Sequence, residues 1–293
     1  MHYYGANCQI SIYFIITYNL RMTMKLKKFA VIGHPIAHSK SPSIHKAFAS
    51  QFGFDISYEK LDVHPDSFDE KIHQLKEDEF VGLNITLPFK NSAFDISDHV
   101  SELSRLTQSV NTISFKDNKI YGDSTDGQGL IEDLKLNEIN LKGTNILLLG
   151  AGGAAQGIIF DLIKSQPNSI VLHNRTVDRA KKMIDDWSVH ANKENIHLAL
   201  LEVEEIKHFD LVINATSAGI MGNDLPMPIH LFSSATTYYD MTYGSETAFL
   251  KEALKVGART LDGIGMLICQ AAASFKIWHQ CEPDVKKVIK LFK

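Results

Sequence analysis

The run Asn145-Ile-Leu-Leu-Leu-Gly-Ala-Gly-Gly-Ala-Ala-Gln-Gly157 carries the most readable chemistry in this chain. Four apolar residues, Ile146 to Leu149, read as a strand buried on both faces, as in a parallel sheet. Gly150, Gly152 and Gly153 follow at once, and Ala154 to Leu162 reads as a helix. Strand, glycine turn and helix in that order form a grip for a dinucleotide pyrophosphate. Glycines let the backbone approach the anion, and the first N–H groups of the helix face it with the positive end of the dipole. Ala155 takes the third small position, where helix and strand pack closely. The bland alternative is an ordinary strand-to-helix turn, and the flanking pattern argues against it.

The next strand ends Asn174-Arg-Thr176, with Arg179 one helical turn on. At that position an acid holds the ribose 2′-hydroxyl of NAD, whereas arginine suits the 2′-phosphate of NADP. No acid occurs there before Asp178. Two guanidinium forks near one phosphate make a charge-assisted, geometrically matched site, so the expected cofactor is NADP. A solvated helix start is the competing reading.

Two further constellations lie upstream. In His34-Pro-Ile-Ala-His-Ser-Lys-Ser-Pro42 the spacing predicts a helix with Ser41 as N-cap and Pro42 at its first position. Ser39 and Ser41 then set two hydroxyls at an electropositive helix end, a seat for a carboxylate. In Val81-Gly-Leu-Asn-Ile-Thr-Leu-Pro-Phe-Lys90, alternation puts Leu83, Ile85 and Leu87 on one strand face. Asn84 and Thr86 share the other face, which leads to Lys90. His34, His38 and His45 raise a metal site, but the intervening loop and the lack of any H-E-x-x-H argue against one, and no metal is expected.

These residues need a scaffold of alternating strands and helices. Strands are expected at Lys28–Gly33, Ile56–Val63, Val81–Leu87, Val110–Ile113, Ile146–Leu149, Ser169–Thr176, Phe209–Ser217, Thr237–Met241 and Ala258–Asp262. Lys116–Lys119 reads as a hairpin turn. Helices are expected after Ser41, over Pro65–Lys76, from near Gln128 just past Asp126, and over Ala154–Leu162, Asp178–Trp187, Thr247–Val256, Met266–His279 and Pro283–Phe292. Such alternation is that of an α/β fold with parallel sheets.

Bulk properties exclude several classes. The 293 residues suffice for two domains, with 44% hydrophobic and 22% charged residues and a net charge of −4. That balance gives no electrostatic case for binding nucleic acid or an anionic membrane. Cys8, Cys269 and Cys281 are odd in number and scattered, which points to a reducing, cytoplasmic setting without disulfides. Ile10–Ile16 is too short to span a bilayer. Residues 1–23 are expected to be a disordered or non-native leader before a start at Met22 or Met24, the rival being a strand or docking arm.

Several spacings are more particular than general physics requires. Ile32-Gly-His-Pro-Ile-Ala-His-Ser-Lys-Ser-Pro42, Asn84-Ile-Thr-Leu-Pro-Phe-Lys90, Val110-Asn-Thr112, Thr125-Asp-Gly127, Gly150-Ala-Gly-Gly-Ala-Ala155, Asn174-Arg-Thr176, Asn214-Ala-Thr-Ser217 and Gly263-Ile-Gly-Met-Leu-Ile-Cys-Gln270 closely resemble the shikimate dehydrogenases. The resemblance spans Lys28 to about Trp278. It implies two domains: a split α/β substrate-binding domain of residues 24–126 plus 263–293, and a Rossmann-type doubly wound NADP-binding domain of residues 127–262. It implies reversible NADPH-dependent reduction of 3-dehydroshikimate to shikimate, in the route to chorismate and the aromatic amino acids.

By motif match, Ser39 and Ser41 would hold the substrate carboxylate with help from Tyr243. Asn84, Thr86, Asn111, Asp126 and Gln270 would hold ring hydroxyls, and Lys90 with Asp126 would be the catalytic pair. Gly150, Ala151, Gly152, Gly153, Ala154, Ala155, Asn174, Arg175, Thr176, Arg179, Ala215, Thr216, Ser217, Met241 and Gly263 would face NADP. A monomer or homodimer is expected, with a small molecule as its partner.

Elementary chemistry agrees. Hydride addition to a ketone leaves an alkoxide, which needs a proton and a nearby positive charge. A lysine in a partly dry cleft offers both: burial favours its neutral form and a neighbouring carboxylate its charged form. The chain departs from the family pattern at Lys46, Ser109, Ser124 and Gly244-Ser245, none of which removes a catalytic match. Rivals are a quinate/shikimate enzyme able to use NAD, and a nucleotide sensor that kept the fold without the chemistry. A short-chain dehydrogenase is excluded because no Tyr-x-x-x-Lys occurs.

Overall fold

The computed structural model describes residues 26–201, 208–216, 227–244 and 246–292. The expected leader, Ser217 and Ser245 lie outside the described residues. The described residues form two six-stranded sheets. The first contains β1 (Lys27–Gly33), β2 (Ile56–Asp62), β3 (Phe80–Ile85), β4 (His99–Val100), β5 (Thr112–Lys116) and β6 (Lys119–Asp123), ordered β2-β1-β3-β5-β6-β4. β1 runs parallel to β2 and β3, whereas β3–β5 and β5–β6 are antiparallel. Its helices are α1 (Ser41–Gln51), α2 (Phe68–Glu77), α3 (Lys90–Ile96) and α4 (Glu102–Thr107).

The second sheet contains β7 (Asn145–Leu149), β8 (Ser169–His173), β9 (His197–Leu200), β10 (Leu211–Asn214), β11 (Thr237–Asp240) and β12 (Arg259–Leu261). Every pairing is parallel, in the order β12-β11-β10-β7-β8-β9. Counted from β7, this is the doubly wound order 3-2-1-4-5-6. Ile146 to Leu149 are fully buried, as a strand covered on both faces must be. Around it stand α5 (Asp126–Leu136), α6 (Gly153–Lys164), α7 (Val177–Lys193) and α8 (Ala248–Lys255). The chain then returns to the first sheet through α9 (Ile264–His279) and α10 (Val285–Phe292), whose apolar faces join Phe29, Ile44, Phe48 and Tyr58 in one core.

Helices α5 and α9 pack along each other and tie the two sheets together. A Cβ on Gly129 would fall 2.7 Å from the Gln270 backbone N, and one on Gly265 1.9 Å from Asp133 Oδ1, so glycine sets this close approach. Buried Asp133 also accepts from the Tyr239 hydroxyl at 2.6 Å, which anchors α5 to β11.

Some local expectations shift. Helix α1 starts at Ser41 itself with Lys40 in the cap position, so Ser41 is not the N-cap. Ser39 takes part of that role, its Oγ accepting the Ser41 N–H at 3.3 Å. Helix α5 begins at Asp126 rather than near Gln128. Leu87 does not share the buried face of Leu83 and Ile85, because β3 ends at Ile85 and Leu87 is exposed. The first turn of the expected 65–76 helix is a separate 3₁₀ turn, and α3, α4, β4 and β9 are additional elements. No helix among the described residues is long and apolar enough to cross a membrane.

Candidate active site

A cavity of about 190 Å³ opens between the two sheets, and its walls come from both. The first-sheet wall carries Ser39, Ser41, Asn84, Thr86, Lys90 and Asn111. Asp126 and Gln270 come from α5 and α9, and Tyr243 from the loop after β11. The opposite wall brings Ala154, Met241 and Gly263 to the same space. Every residue singled out for substrate contact therefore meets in one cleft, beside three of those singled out for the cofactor.

Lys90 opens α3, whose preceding residue, Phe89, is buried and stacked on Phe68 at 4.6 Å between ring centres. The Lys90 carbonyl accepts the Val110 N–H at 3.0 Å, which fixes its backbone against the start of β5. Its Nζ reaches Asp126 Oδ2 at 2.5 Å. Asp126 Oδ1 accepts from Asn111 Nδ2 at 2.8 Å, and the residue sits in the first turn of α5, where the helix dipole favours negative charge. Asn111 Oδ1 accepts the Thr125 N–H at 2.9 Å. A carboxylate only accepts and a backbone N–H only donates, so the orientation of the Asn111 amide is fixed.

Gln270 is oriented the same way, its Nε2 donating to the Leu267 carbonyl at 2.9 Å while Oε1 turns toward Asn111 Nδ2 at 3.3 Å. Ser39 and Ser41 are buried and mutually hydrogen-bonded at 3.2 Å at the start of α1. Burial raises the Tyr243 hydroxyl above the usual tyrosine range, so it is an O–H at neutral pH.

On the cofactor side, Gly150 has φ +105°, a conformation that favours glycine, and turns the chain sharply after β7. Asn174 accepts the Ala151 N–H at 3.1 Å and donates to the Thr176 carbonyl at 2.7 Å, pinning the glycine turn to the end of β8. Gly152 caps α6 at φ −101°, which any residue adopts, and a Cβ on it or on Gly153 would meet nothing within 4 Å. Neither fold nor packing demands glycine there. Space for an anion over the α6 N-terminus is the remaining reason, so the residues fit a dinucleotide. Ala155 is fully buried against the sheet.

Asn214 accepts the Thr216 N–H at 3.0 Å and places Ala215 and Thr216 beside Gly150, at the switch point of the sheet. Arg175 and Arg179 are exposed around the start of α7.

The three histidines go separate ways. His34 pairs with Asp62 at 2.6 Å, His38 lines the cleft, and His45 is buried against Tyr58. Among the described residues no group of three or more His, Cys, Asp or Glu is arranged to hold a metal. Burial, reinforced by nearby His279, pushes His45 down to about 3.

Sequence reasoning did not single out Asp240, Thr125, Ser274 or Tyr58 as site residues. Asp240 is fully buried and accepts from Asn214, Thr247 and the Thr242 N–H, so it shapes the loop that carries Met241 and Tyr243. An acid closing the tyrosine-rich strand Thr237-Tyr-Tyr-Asp240 was the available signal.

Three family models match this chain. They are described as shikimate dehydrogenase substrate binding domain (residues 31–113), shikimate / quinate 5-dehydrogenase (133–221) and shikimate 5'-dehydrogenase C-terminal domain (263–291). A shikimate dehydrogenase (NADP(+)) of Methylobacillus flagellatus is 41% identical over 266 residues, 90% of this chain and 98% of that one. The shikimate dehydrogenase structure from Aquifex aeolicus superposes with a TM-score of 0.84 at 30% identity, covering 92% of this chain and 99% of that one. The shikimate 5-dehydrogenase from Thermus thermophilus, in complex with NADP(H) and shikimate, gives 0.81 at 31% identity, covering 90% and 98%.

Proposed function

The chain belongs to the shikimate dehydrogenase family, and from its site we propose that it interconverts shikimate and 3-dehydroshikimate with Lys90 and Asp126 as the catalytic pair. It is an NADP-dependent oxidoreductase acting on a CH–OH group. The observation that carries the reading is the cleft itself, in which the Lys90–Asp126 pair faces Ala154, Met241 and Gly263 across one cavity.

When bound, NADP supplies or takes up the hydride. Lys90 gives its proton to the carbonyl oxygen as negative charge develops there, and in the reverse direction its neutral amine takes the hydroxyl proton back. Asp126 holds the lysine nitrogen in place and accepts from a ring hydroxyl. Ser39 and Ser41 donate to the substrate carboxylate, with the Tyr243 hydroxyl at the same end. Thr86, Asn84, Asn111 and Gln270 orient the ring so that the reacting carbon faces the opposite wall. Gly150 to Ala155, Asn174, Thr176, Ala215, Thr216, Met241 and Gly263 would hold the cofactor, and Arg175 and Arg179 would take its 2′-phosphate. Residues 24–126 with 263–293 form the substrate domain and 127–262 the cofactor domain.

A spectrophotometric matrix of shikimate and quinate against NADP⁺ and NAD⁺ tests this function. Turnover concentrated in the shikimate–NADP⁺ pair is expected. Equal or greater turnover with quinate would replace it by the broader quinate/shikimate activity, and no turnover in any cell would contradict both.

A further inference from the structure

Asn84 lines the cleft, yet almost all of its hydrogen-bonding capacity is spent inside the protein. Its Nδ2 lies 2.9 Å from Ser274 Oγ, 3.4 Å from Thr112 Oγ1 and 3.4 Å from the Asn111 carbonyl oxygen. A carbonyl oxygen only accepts, so the amide nitrogen must face it. With the amide turned over, two carbonyl oxygens would oppose each other in a buried site. Asn84 Oδ1 therefore points the other way, where the Tyr58 hydroxyl donates to it at 2.7 Å. Its amide hydrogens face protein acceptors, so Oδ1 is the atom of this amide able to meet a ligand in the cleft.

Tyr58 stands on β2 behind the cleft wall and is not among the residues that line the cavity. Its ring stacks on buried His45 at 4.5 Å and 14° between planes, and lies 6.5 Å from Phe29. Burial raises the Tyr58 hydroxyl well above the usual tyrosine range, so it is an O–H donor at neutral pH.

We propose that Tyr58 is a positioning residue of the substrate site, fixing the Asn84 amide so that it presents only an acceptor and thereby selects a hydroxyl donor on the ligand ring. The inference rests on the reaction proposed above. An unanchored amide would leave a buried oxygen without its donor and would be free to turn its NH₂ group toward the ligand, where a ring hydroxyl would no longer find the same partner.

Steady-state kinetics of the unsubstituted protein, Tyr58→Phe, Asn84→Ala and the double variant test it. Phenylalanine keeps the ring stacked on His45, so the fold is retained. Tyr58→Phe is expected to raise KM for shikimate roughly fivefold to tenfold, the worth of one hydrogen bond, with KM for NADP⁺ unchanged. In the Asn84→Ala background the same change is expected to add nothing, because Tyr58 acts through Asn84. An unchanged KM for shikimate, an equal rise in both KM values, or effects that multiply in the double variant would each overturn the inference while leaving the reaction standing. An unsubstituted protein that does not turn shikimate over would overturn the reaction, and the inference with it.

Discussion

Lys90 Nζ and Asp126 Oδ2 stand 2.5 Å apart, each side chain largely buried, at the first residues of two helices that belong to different layers of the molecule. Lys90 is fixed by the end of β3 and the start of β5, whereas α5 carries Asp126 toward the second sheet. The pair therefore sits where the two walls of the cleft meet, and Asn111 holds the second carboxylate oxygen at 2.8 Å. A cation held by a carboxylate in a partly dry cleft stores a proton beside the place where an alkoxide would form.

Asp126→Asn keeps the shape and the Asn111 contact but removes the charge. It is expected to lower kcat for shikimate oxidation by roughly 10²-fold, the scale of a general acid–base contribution. The melting temperature should stay close to that of the unsubstituted protein. A kcat near normal would remove Asp126 from the catalytic pair.

Arg175→Ala is expected to raise KM for NADP⁺ by about tenfold or more while barely changing KM for NAD⁺, because only NADP⁺ carries the 2′-phosphate that the guanidinium would meet. Parallel measurements with both cofactors check this. Equal losses would assign Arg175 to general folding or to the pyrophosphate.

Gly152→Ala tests the reading of empty space as cofactor space. Its backbone at φ −101° suits alanine, and a Cβ there meets nothing within 4 Å. The expected result is a KM for NADP⁺ raised roughly tenfold with a nearly unchanged melting temperature, since the methyl group would enter the pyrophosphate seat. Loss of stability with an unchanged KM would contradict it.

Asp161, on α6, gives a pH prediction. Its Oδ2 is buried with no hydrogen-bond partner among the described residues, and a Cβ on Gly127 would fall 2.0 Å from it, so α5 and α6 close tightly over the carboxyl. Burial pushes Asp161 up to about 6. The folded state thus holds this proton more firmly than the unfolded chain does. Stability from this group is complete below the unfolded value near ~4 and is lost as pH rises through about 6. After allowance for partial solvent exposure, the carboxylate costs about 1–2 kcal/mol at pH 7–8. Asp161→Asn should therefore raise the melting temperature at pH 8 more than at pH 5. An equal change at both pH values would show that Asp161 titrates normally.

The glycine turn was legible because strand, turn and helix are local events: Ile146–Leu149, Gly150 and Ala155 stand where residue pattern alone puts them. The opposite wall was not legible from pattern. Nothing in the spacing of Asn84, Asn111, Asp126 and Gln270 brings them together, because β3, β5, α5 and α9 meet only through long-range packing. Only the resemblance of their motifs to a known family points to them. The supporting shell escaped both routes, since Tyr58 reads as one aromatic in a strand and Ser274 as a small residue on a buried helix until their partners are in place. Helix α1 begins one residue earlier than its Ser-Pro signal indicates, because the Ser39 hydroxyl already accepts the Ser41 N–H.

Lys90→Ala, assayed by NADPH formation from shikimate at saturating concentrations of both substrates, tests the central claim most directly. With Lys90 as the proton donor and acceptor, kcat should fall by roughly 10²-fold or more while KM for NADP⁺ is unchanged. A variant that turns shikimate over at close to the unsubstituted rate would contradict the account.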